Sequence, residues 1–165
     1  MIRSAAAFAC FTLAAAPALA EERASSPDGA IEIAIDVNAK GEPIYSAFYN
    51  GEQVIAPSRL GFRFADAPAI AEGLVMSAPT RAQKDETWEQ PWGERRVMRD
   101  RHNELSVTFS TTEKNPRSMV ARFRVFDDGF GFRYEFPKQK FLGKVEIVNE
   151  LTEFTVSPDA TCFWI

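Results

Sequence analysis

Cysteine and histidine are scarce in this chain of 165 residues, which has two cysteines, Cys10 and Cys162, and a single histidine, His102. A tetrahedral zinc site made of cysteine and histidine needs four such ligands, so that kind of site is excluded. Cys10 falls in the N-terminal segment that we interpret below as a cleaved signal peptide, which leaves Cys162 alone. We therefore expect no internal disulfide framework and a fold that depends on its apolar core. We expect Cys162 to be a small buried apolar residue rather than a reactive thiol.

The patterns typical of nucleotide and nucleic-acid binding are also missing. The sequence contains no glycine-rich phosphate loop and no basic stripe with interleaved aromatic residues. The formal net charge is −4, which gives no electrostatic reason to expect a nucleic acid or an anionic membrane as a partner. These classes of function therefore have no support in the residues.

The N-terminal segment has the three parts of a secretory signal peptide. Arg3 supplies a positive charge, residues 5–16 form an apolar stretch, and Ala18-Leu19-Ala20 is a small-x-small cleavage site. The alternative, an uncleaved membrane anchor, is disfavoured because the apolar stretch is shorter than the roughly 20 residues of a spanning helix. We predict cleavage after residue 20, a periplasmic or secreted protein, and one domain over residues 21–165 that begins with a loose polar tail at residues 21–26.

The strongest structural signal is a β-hairpin between Met119 and Pro137. Two alternating stretches flank Asp127-Asp128-Gly129, a sequence typical of a tight hairpin turn, and Gly129 is expected to take the positive φ of that turn. In the first arm Ala121, Phe123 and Val125 share one face. In the second arm four aromatic residues share one face, namely Phe130, Phe132, Tyr134 and Phe136. Period two with one apolar face predicts two antiparallel strands.

The same alternation recurs along the chain. It predicts strands at residues 30–37, 43–49, 52–56, 59–64, 74–78, 105–110, 144–150 and 152–157. The strand at residues 52–56 is expected to end before Pro57. No helical period lasts for three turns, and residues 67–73 are the only place for a helical turn. Short strands with Gly, Pro and Asn between them predict an all-β fold, which we assign as an antiparallel β-sandwich.

The segment from Asp85 to Arg96 is the one most like a binding site. Trp88 and Trp92 lie among carboxylates, including Glu94, and are followed by two arginines. An indole face can cover the C–H side of a sugar while carboxylates and arginines bond its hydroxyls, so these three residues are candidate carbohydrate contacts. In the alternative interpretation, both indoles pack on an edge of the sandwich and the charges are solvated.

Other acidic residues could in principle form the carboxylate pair of a glycosidase, but nothing in their spacing fixes the separation of about 5–9.5 Å that such a pair needs. They are Glu86, Glu89, Glu94, Asp100, Glu104, Glu150 and Glu153. His102 could be an acid–base group, although a role in a loop or at a strand edge is favoured. No catalytic residue and no metal ligand is assigned.

The sequence ends on Phe163-Trp164-Ile165, an apolar, strand-like stretch with no turn residue or charge after it. Domain termini tend to be polar and frayed. The pattern therefore predicts a sandwich that is incomplete at its C-terminal end and belongs to a larger protein.

Several segments, taken in order, resemble the N-terminal domain of glycoside hydrolase family 97, and together they cover essentially all of residues 21–165. They are Ser26-Pro27-Asp28-Gly29, Asp85-Glu86-Thr87-Trp88, Pro91-Trp92-Gly93-Glu94, Asn103-Glu104-Leu105, residues 123–129, residues 132–137, residues 150–154, Asp159-Ala160-Thr161 and Phe163-Trp164-Ile165.

The resemblance implies a galactose-mutarotase-like β-supersandwich ahead of a (β/α)8 barrel. In that family of α-glucosidases and α-galactosidases, the barrel holds the catalytic carboxylates and most ligands of a calcium ion. No family catalytic or metal residue falls on this chain, so we expect a carbohydrate-associated domain that supports the barrel and shapes the active-site mouth without being catalytic alone.

Two other interpretations stay open. One is a free-standing periplasmic module that binds carbohydrate or protein, and the other is an active hydrolase or epimerase that uses carboxylates such as Glu94 and Glu104.

Overall fold

The computed structural model describes residues 21–77, 79–161 and 163. The predicted signal peptide at residues 1–20, Cys162 and the last two residues lie outside this part of the chain. Within it the chain forms β-strands and no α-helix: β1 Glu22–Ser25, β2 Ile31–Val37, β3 Pro43–Tyr49, β4 Glu52–Arg59, β5 Phe62–Phe64, β6 Leu74–Met76, β7 Thr80–Glu89, β8 Val97–Thr111, β9 Ser118–Phe126, β10 Gly129–Glu135, β11 Ile147–Glu150 and β12 Thr155–Val156.

All strand pairs are antiparallel, and the strands form three sheets. The first sheet has the order β1-β2-β3-β4-β12, and the second has the order β10-β9-β8-β6 with β7 also paired to β8. A small third sheet joins β11 to β5. The predicted all-β antiparallel sandwich is therefore confirmed.

The core lies between the first two sheets. In β8 and β9 the residues Leu105, Val107, Ala121, Phe123 and Val125 are fully buried, as the period-two pattern predicts. From the facing sheet, β2 contributes Ile33 and Ile35, and β3 contributes Tyr45. The ring centroid of Tyr45 lies 5.9 Å from that of Phe123 and 5.4 Å from that of Phe132, so aromatic contacts join the two layers.

The predicted hairpin is confirmed, but one detail of its turn was wrong. Phe126 pairs with Gly129, so Asp127 and Asp128 alone form the loop and Gly129 begins β10. Gly129 is not among the residues with positive φ. The two aspartates occupy the turn positions, and the glycine takes the extended backbone of a strand residue.

Other expectations about the strands also fail. The predicted tail at residues 21–26 contains β1, because Glu22–Ser25 pairs with residues 32–35 of β2. Pro57 does not stop β4. The β3–β4 register shifts between Tyr45 and Ala47, so the proline lies at an irregularity of the sheet where its missing N–H costs no hydrogen bond between the strands.

Residues 67–73 contain no helical turn, because their backbone bonds go to neighbouring segments. Ile70 exchanges two hydrogen bonds with Phe62, and the Gly73 N–H donates to the carbonyl of Lys40 at 3.0 Å. The buried guanidinium of Arg117 donates to the carbonyl of Pro68 and fixes the same loop from the other side.

The β2–β3 turn packs directly on this loop through Gly41, which has a φ of +74°. A Cβ atom at Gly41 would lie 2.6 Å from the backbone nitrogen of Gly73. The Gly41→Ala variant should therefore lower the free energy of unfolding by about 2 kcal/mol or more, from left-handed strain and steric overlap together.

Gly73→Ala is the matched control for that prediction. Gly73 has a φ of +66° but open space around its Cβ position, so only the strain of about 1–2 kcal/mol applies. Urea unfolding at an unchanged m value measures both variants. A Gly41→Ala variant no less stable than Gly73→Ala would contradict the close approach.

Candidate functional site

The segment that carries the candidate contacts is a long hairpin that extends beyond the sandwich. β8 pairs with β9 only from Asn103 onward, whereas β7 follows β8 from Ser106 to Val97. We call residues 84–102 the arm. Nearly every side chain of β7 is exposed, because the arm is a two-stranded ribbon with no third strand beside it.

Little in the residue pattern predicts the arm. β7 reads TRAQKDETWE, and a ribbon with two solvated faces needs no apolar alternation for its folding. The predicted strand at residues 105–110 therefore proved to be the inner part of a strand of 15 residues.

Ion pairs across the ribbon hold the arm together. Arg99 donates two hydrogen bonds to the carboxylate of Asp85, at 2.7 and 2.6 Å. Lys84 Nζ lies 3.0 Å from Asp100 Oδ2, and Arg96 donates to Glu89 at 3.0 Å. Exposed pairs of this kind each contribute little, and these join diagonal neighbours, since Asp85 lies directly opposite Arg101 and Lys84 opposite His102.

At the base of the arm, segments that are distant in the sequence meet. The Asp28 N–H donates to Asp127 Oδ1 at 2.9 Å, which joins the turn before β2 to the β9–β10 turn. Arg101 donates to the other oxygen of Asp127, and the Asn103 side chain donates to the carbonyl of Ser25 at 2.8 Å. Asp28, Asn103 and Asp127 belong to the segments that carry the family resemblance, and here they join strands.

His102 was expected in a loop or at a strand edge, and it lies in a strand, one residue before the pairing of β8 with β9 begins. It lies within β8, is 2% exposed, and its ring lies 4.9 Å from that of Phe126. Its Nδ1 is hydrogen-bonded to the carboxylate of Asp100. The hydrogen bond from Lys84 is the main reason that the pKa of Asp100 lies below its ordinary value.

The tip of the arm, residues 90–96, carries Trp92. Its side chain is 77% exposed, and the backbone turns back through a hydrogen bond of 2.9 Å from the Gln90 N–H to the Arg96 carbonyl. A shallow cavity of about 500 Å³ has Trp92, Glu89 and Arg96 in its lining. An indole beside an ion pair can contact a sugar ring through its face and the hydroxyls through the charges.

The three predicted contact residues are not all brought together. Trp88 lies on β7 opposite Met98 and is 47% exposed, and Glu94 is an exposed residue of the tip. Neither contributes to the lining of the cavity that contains Trp92, whereas Gln90 and Arg96 do. The position of Arg96 beside Trp92 could have been predicted from the sequence only by placing the turn at residues 90–96 correctly.

The acidic residues considered for catalysis are mostly held by basic partners. Glu86 pairs with Lys84, Glu153 with Arg59, and Glu104 with both Arg122 and Arg124.

The pKa of Glu104 does not favour a role as a general acid. Burial acts to raise this pKa, but hydrogen bonds from the two arginines outweigh burial and leave it below its ordinary value. A general acid requires the opposite shift, so Glu104 resembles a member of a structural ion pair.

Within the part of the chain that the structure describes, no group of three His, Cys, Asp or Glu side chains could hold a metal ion. The same residues include no helix long and apolar enough to cross a bilayer.

The fold and the arm define an antiparallel β-sandwich domain with an exposed aromatic tip. Comparison with known families identifies it further, since residues 24–165 match the glycosyl-hydrolase 97 N-terminal family. The chain belongs to this family.

Two curated relatives are an α-galactosidase and a probable one, both described as retaining. The enzyme of Bacteroides thetaiotaomicron is 23% identical over 83% of this chain and 19% of its own length. The probable enzyme of Streptomyces bingchenggensis is 31% identical over 68% of this chain and 17% of its own length.

The chain is also similar to solved structures of family 97 enzymes. A glycoside hydrolase family 97 enzyme of Pseudoalteromonas sp. strain K8, solved with panose and with acarbose, is 39% identical over 83% of this chain, with a TM-score of 0.79. A β-arabinopyranosidase at 24% identity has a TM-score of 0.74 and shows the shared fold alone. The chain spans about a fifth of the length of these proteins.

Proposed function

We propose that this chain is the N-terminal sandwich of an exported α-glycoside hydrolase, in which it supports a catalytic (β/α)8 barrel and shapes one side of the active-site mouth. The observation that carries the proposal is the match to the family over residues 24–165, combined with a span of only about a fifth of the family enzymes. The catalytic groups then belong to the other four-fifths of such an enzyme.

The sandwich is not catalytic alone in this proposal. The paired state of its carboxylates supports this, because an acid held by arginine is poorly suited to give up or take a proton near neutral pH. We assign no residue of this chain to the calcium ion that the resemblance associates with intact family enzymes. No step of the proposal involves that ion.

The arm provides the contact with carbohydrate. Trp92 offers an exposed indole face, with the Glu89–Arg96 pair beside it, while Trp88 and Glu94 are candidates for the outer edge of the same contact. The substrate class is an α-glycoside, which is consistent with the panose and acarbose bound by the Pseudoalteromonas enzyme.

Export places the protein in the periplasm or outside the cell. Residues 1–20 act as the signal peptide, and the domain begins at Glu21. The sandwich can fold in that oxidising environment without disulfide bonds, because its core is made of apolar strand residues.

A domain exchange tests the supporting role. Deleting the matched fifth of the Pseudoalteromonas enzyme should abolish its turnover of a p-nitrophenyl α-glucoside, and inserting residues 24–165 of this chain in its place should restore part of it. The 165-residue chain alone should give no turnover.

Two results would count against this role. Full activity after the deletion would show that the sandwich gives the barrel no support, and turnover by the 165-residue chain alone would favour the interpretation as an independent hydrolase. Circular dichroism of the chimera checks that the exchanged domain is folded.

The Trp92→Ala variant tests the contact with carbohydrate. Loss of one stacked ring should weaken panose binding to the 165-residue chain by about 0.5–1.5 kcal/mol, roughly a two- to tenfold rise in Kd. Tyr49→Ala removes another aromatic residue of similar exposure, 53%, from the end of β3 and should leave Kd unchanged. Equal effects of the two variants, as measured by calorimetry, would refute a specific role for the arm.

A further inference from the structure

The outer face of the second sheet carries a cluster of charges that do not balance. Side chains at alternate positions of a strand share a face, so the residues between the buried ones of β9 and β10 point away from the core. On this outer face three arginines and two glutamates lie together. They are Arg122 and Arg124 of β9, Arg133 and Glu135 of β10, and Glu104 of β8.

These five side chains form one linear network of ion pairs. Arg122 lies at its centre and donates to both Glu104 and Glu135. Arg124 donates to the other oxygen of Glu104 at 3.0 Å, and Arg133 donates to Glu135 at 2.9 Å. Each glutamate is therefore shared by two arginines, and an arginine stands at either end of the network. Three positive and two negative charges leave one positive charge in excess.

Both glutamates of the network are ionised near neutral pH. Hydrogen bonds from Arg122 and Arg133 lower the pKa of Glu135 to about 2. Burial acts to raise the pKa of Glu104, but hydrogen bonds from Arg124 and Arg122 leave it below its ordinary value. The excess positive charge does not depend on the protonation of these acids at that pH.

The two end arginines have hydrogen-bond donors to spare. A guanidinium group has five N–H donors. Among the described residues, Arg124 donates only through Nε, to Glu104, and Glu135 is the only acceptor of Arg133. Their side chains are 40% and 61% exposed. Both terminal nitrogens of Arg124 are therefore available to an anion.

A shallow cavity lies between the two ends of the network. In the β9–β10 register Gly131 pairs directly with Arg124, and Arg133 follows two positions later on the same face. A Cβ atom at Gly131 would meet no atom within 4 Å, so the space above this glycine is open. We call the cavity the Gly131 pocket. Its volume is about 230 Å³, and it is lined by Arg122, Arg124, Phe126, Gly131, Phe132 and Arg133.

The lining of the Gly131 pocket suits a sugar that carries a carboxylate. Guanidinium groups bind carboxylates through paired, charge-assisted hydrogen bonds. The half-buried ring of Phe126 offers an apolar surface beside them, against which the C–H side of a sugar ring can pack. The pocket is several times larger than the roughly 30 Å³ of a water molecule and smaller than the roughly 300 Å³ at which pockets for drug-sized ligands begin. It therefore fits one sugar residue.

We propose that the Gly131 pocket binds a hexuronic acid, with its carboxylate between Arg124 and Arg133 and its ring against Phe126. The site is separate from the arm, because the pocket shares no lining residue with the cavity at Trp92. The choice of a sugar as the carrier of the carboxylate rests on the proposed function, in which the chain is part of an enzyme that acts on α-glycosides.

Calorimetry of D-glucuronic acid with the 165-residue chain at low salt tests the proposal. Glucuronate should bind saturably. D-glucose, which lacks the carboxylate, and acetate, which lacks the ring, should each bind at least about tenfold more weakly, because each makes only part of the contact.

Arg124→Gln should raise the Kd for glucuronate about tenfold or more, because it removes charge-assisted hydrogen bonds. Glu104 keeps Arg122 as its partner in this variant, so no carboxylate is left unpaired in the sheet. Arg63→Gln is the matched control. It removes the same charge from an exposed arginine of β5, and the Kd should be unchanged.

Gly131→Val tests the pocket without changing any charge. The new side chain would occupy the open space between the end arginines and should abolish glucuronate binding, while valine is well suited to a strand. Gly143→Val is the matched control, since Gly143 also has open space at its Cβ position and no positive φ, and its Kd should be unchanged.

Three results would overturn the proposal: glucuronate binds no more tightly than glucose, acetate binds as tightly as glucuronate, or binding is unchanged in both Arg124→Gln and Gly131→Val. The domain exchange described above is independent of these results. An active chimera together with no glucuronate binding would reject the Gly131 pocket as a site while leaving the proposed function intact.

Discussion

The contact between the inward faces of β8 and β9 and the ring of Tyr45 is the interaction on which the rest of the structure depends. Val107 pairs with Ala121, Leu105 with Phe123 and Phe109 with Met119, and all six of these apolar side chains are fully buried. Fully burying a side chain of this size contributes about 1.5–3 kcal/mol. Burial raises the pKa of Tyr45, and its hydroxyl donates to the Glu153 carbonyl, which ties the approach to β12 to the core.

The parts of the fold that could be predicted are those in which one face of a strand is buried. The pattern in β9 and β10, and the exact span Pro43–Tyr49 of β3, could be read because apolar and polar residues alternate there. β1 and β7 were missed for the opposite reason. Neighbouring strands and cross-strand ion pairs position them, so their own sequences carry no period of two.

The candidate site was harder to predict than the fold. The two exposed tryptophans could be named from the sequence. That Trp88 lies on β7 and Trp92 lies at the tip could not, because it depends on where β7 ends. The same holds for His102, whose burial depends on Phe126 from another strand. Many of the polar residues behind the family resemblance join strands, which explains why a specific resemblance does not bring a catalytic site with it.

Hydrogen exchange of the 165-residue chain most directly tests the central claim, a core that is closed at β8 and β9 and open at β10. The slowest amides should be those of residues 105–109 and 119–125, whereas the outward amides of β10 should exchange much faster because no described segment pairs with them. Uniformly slow exchange through β10, or fast exchange in β8 and β9, would contradict the account.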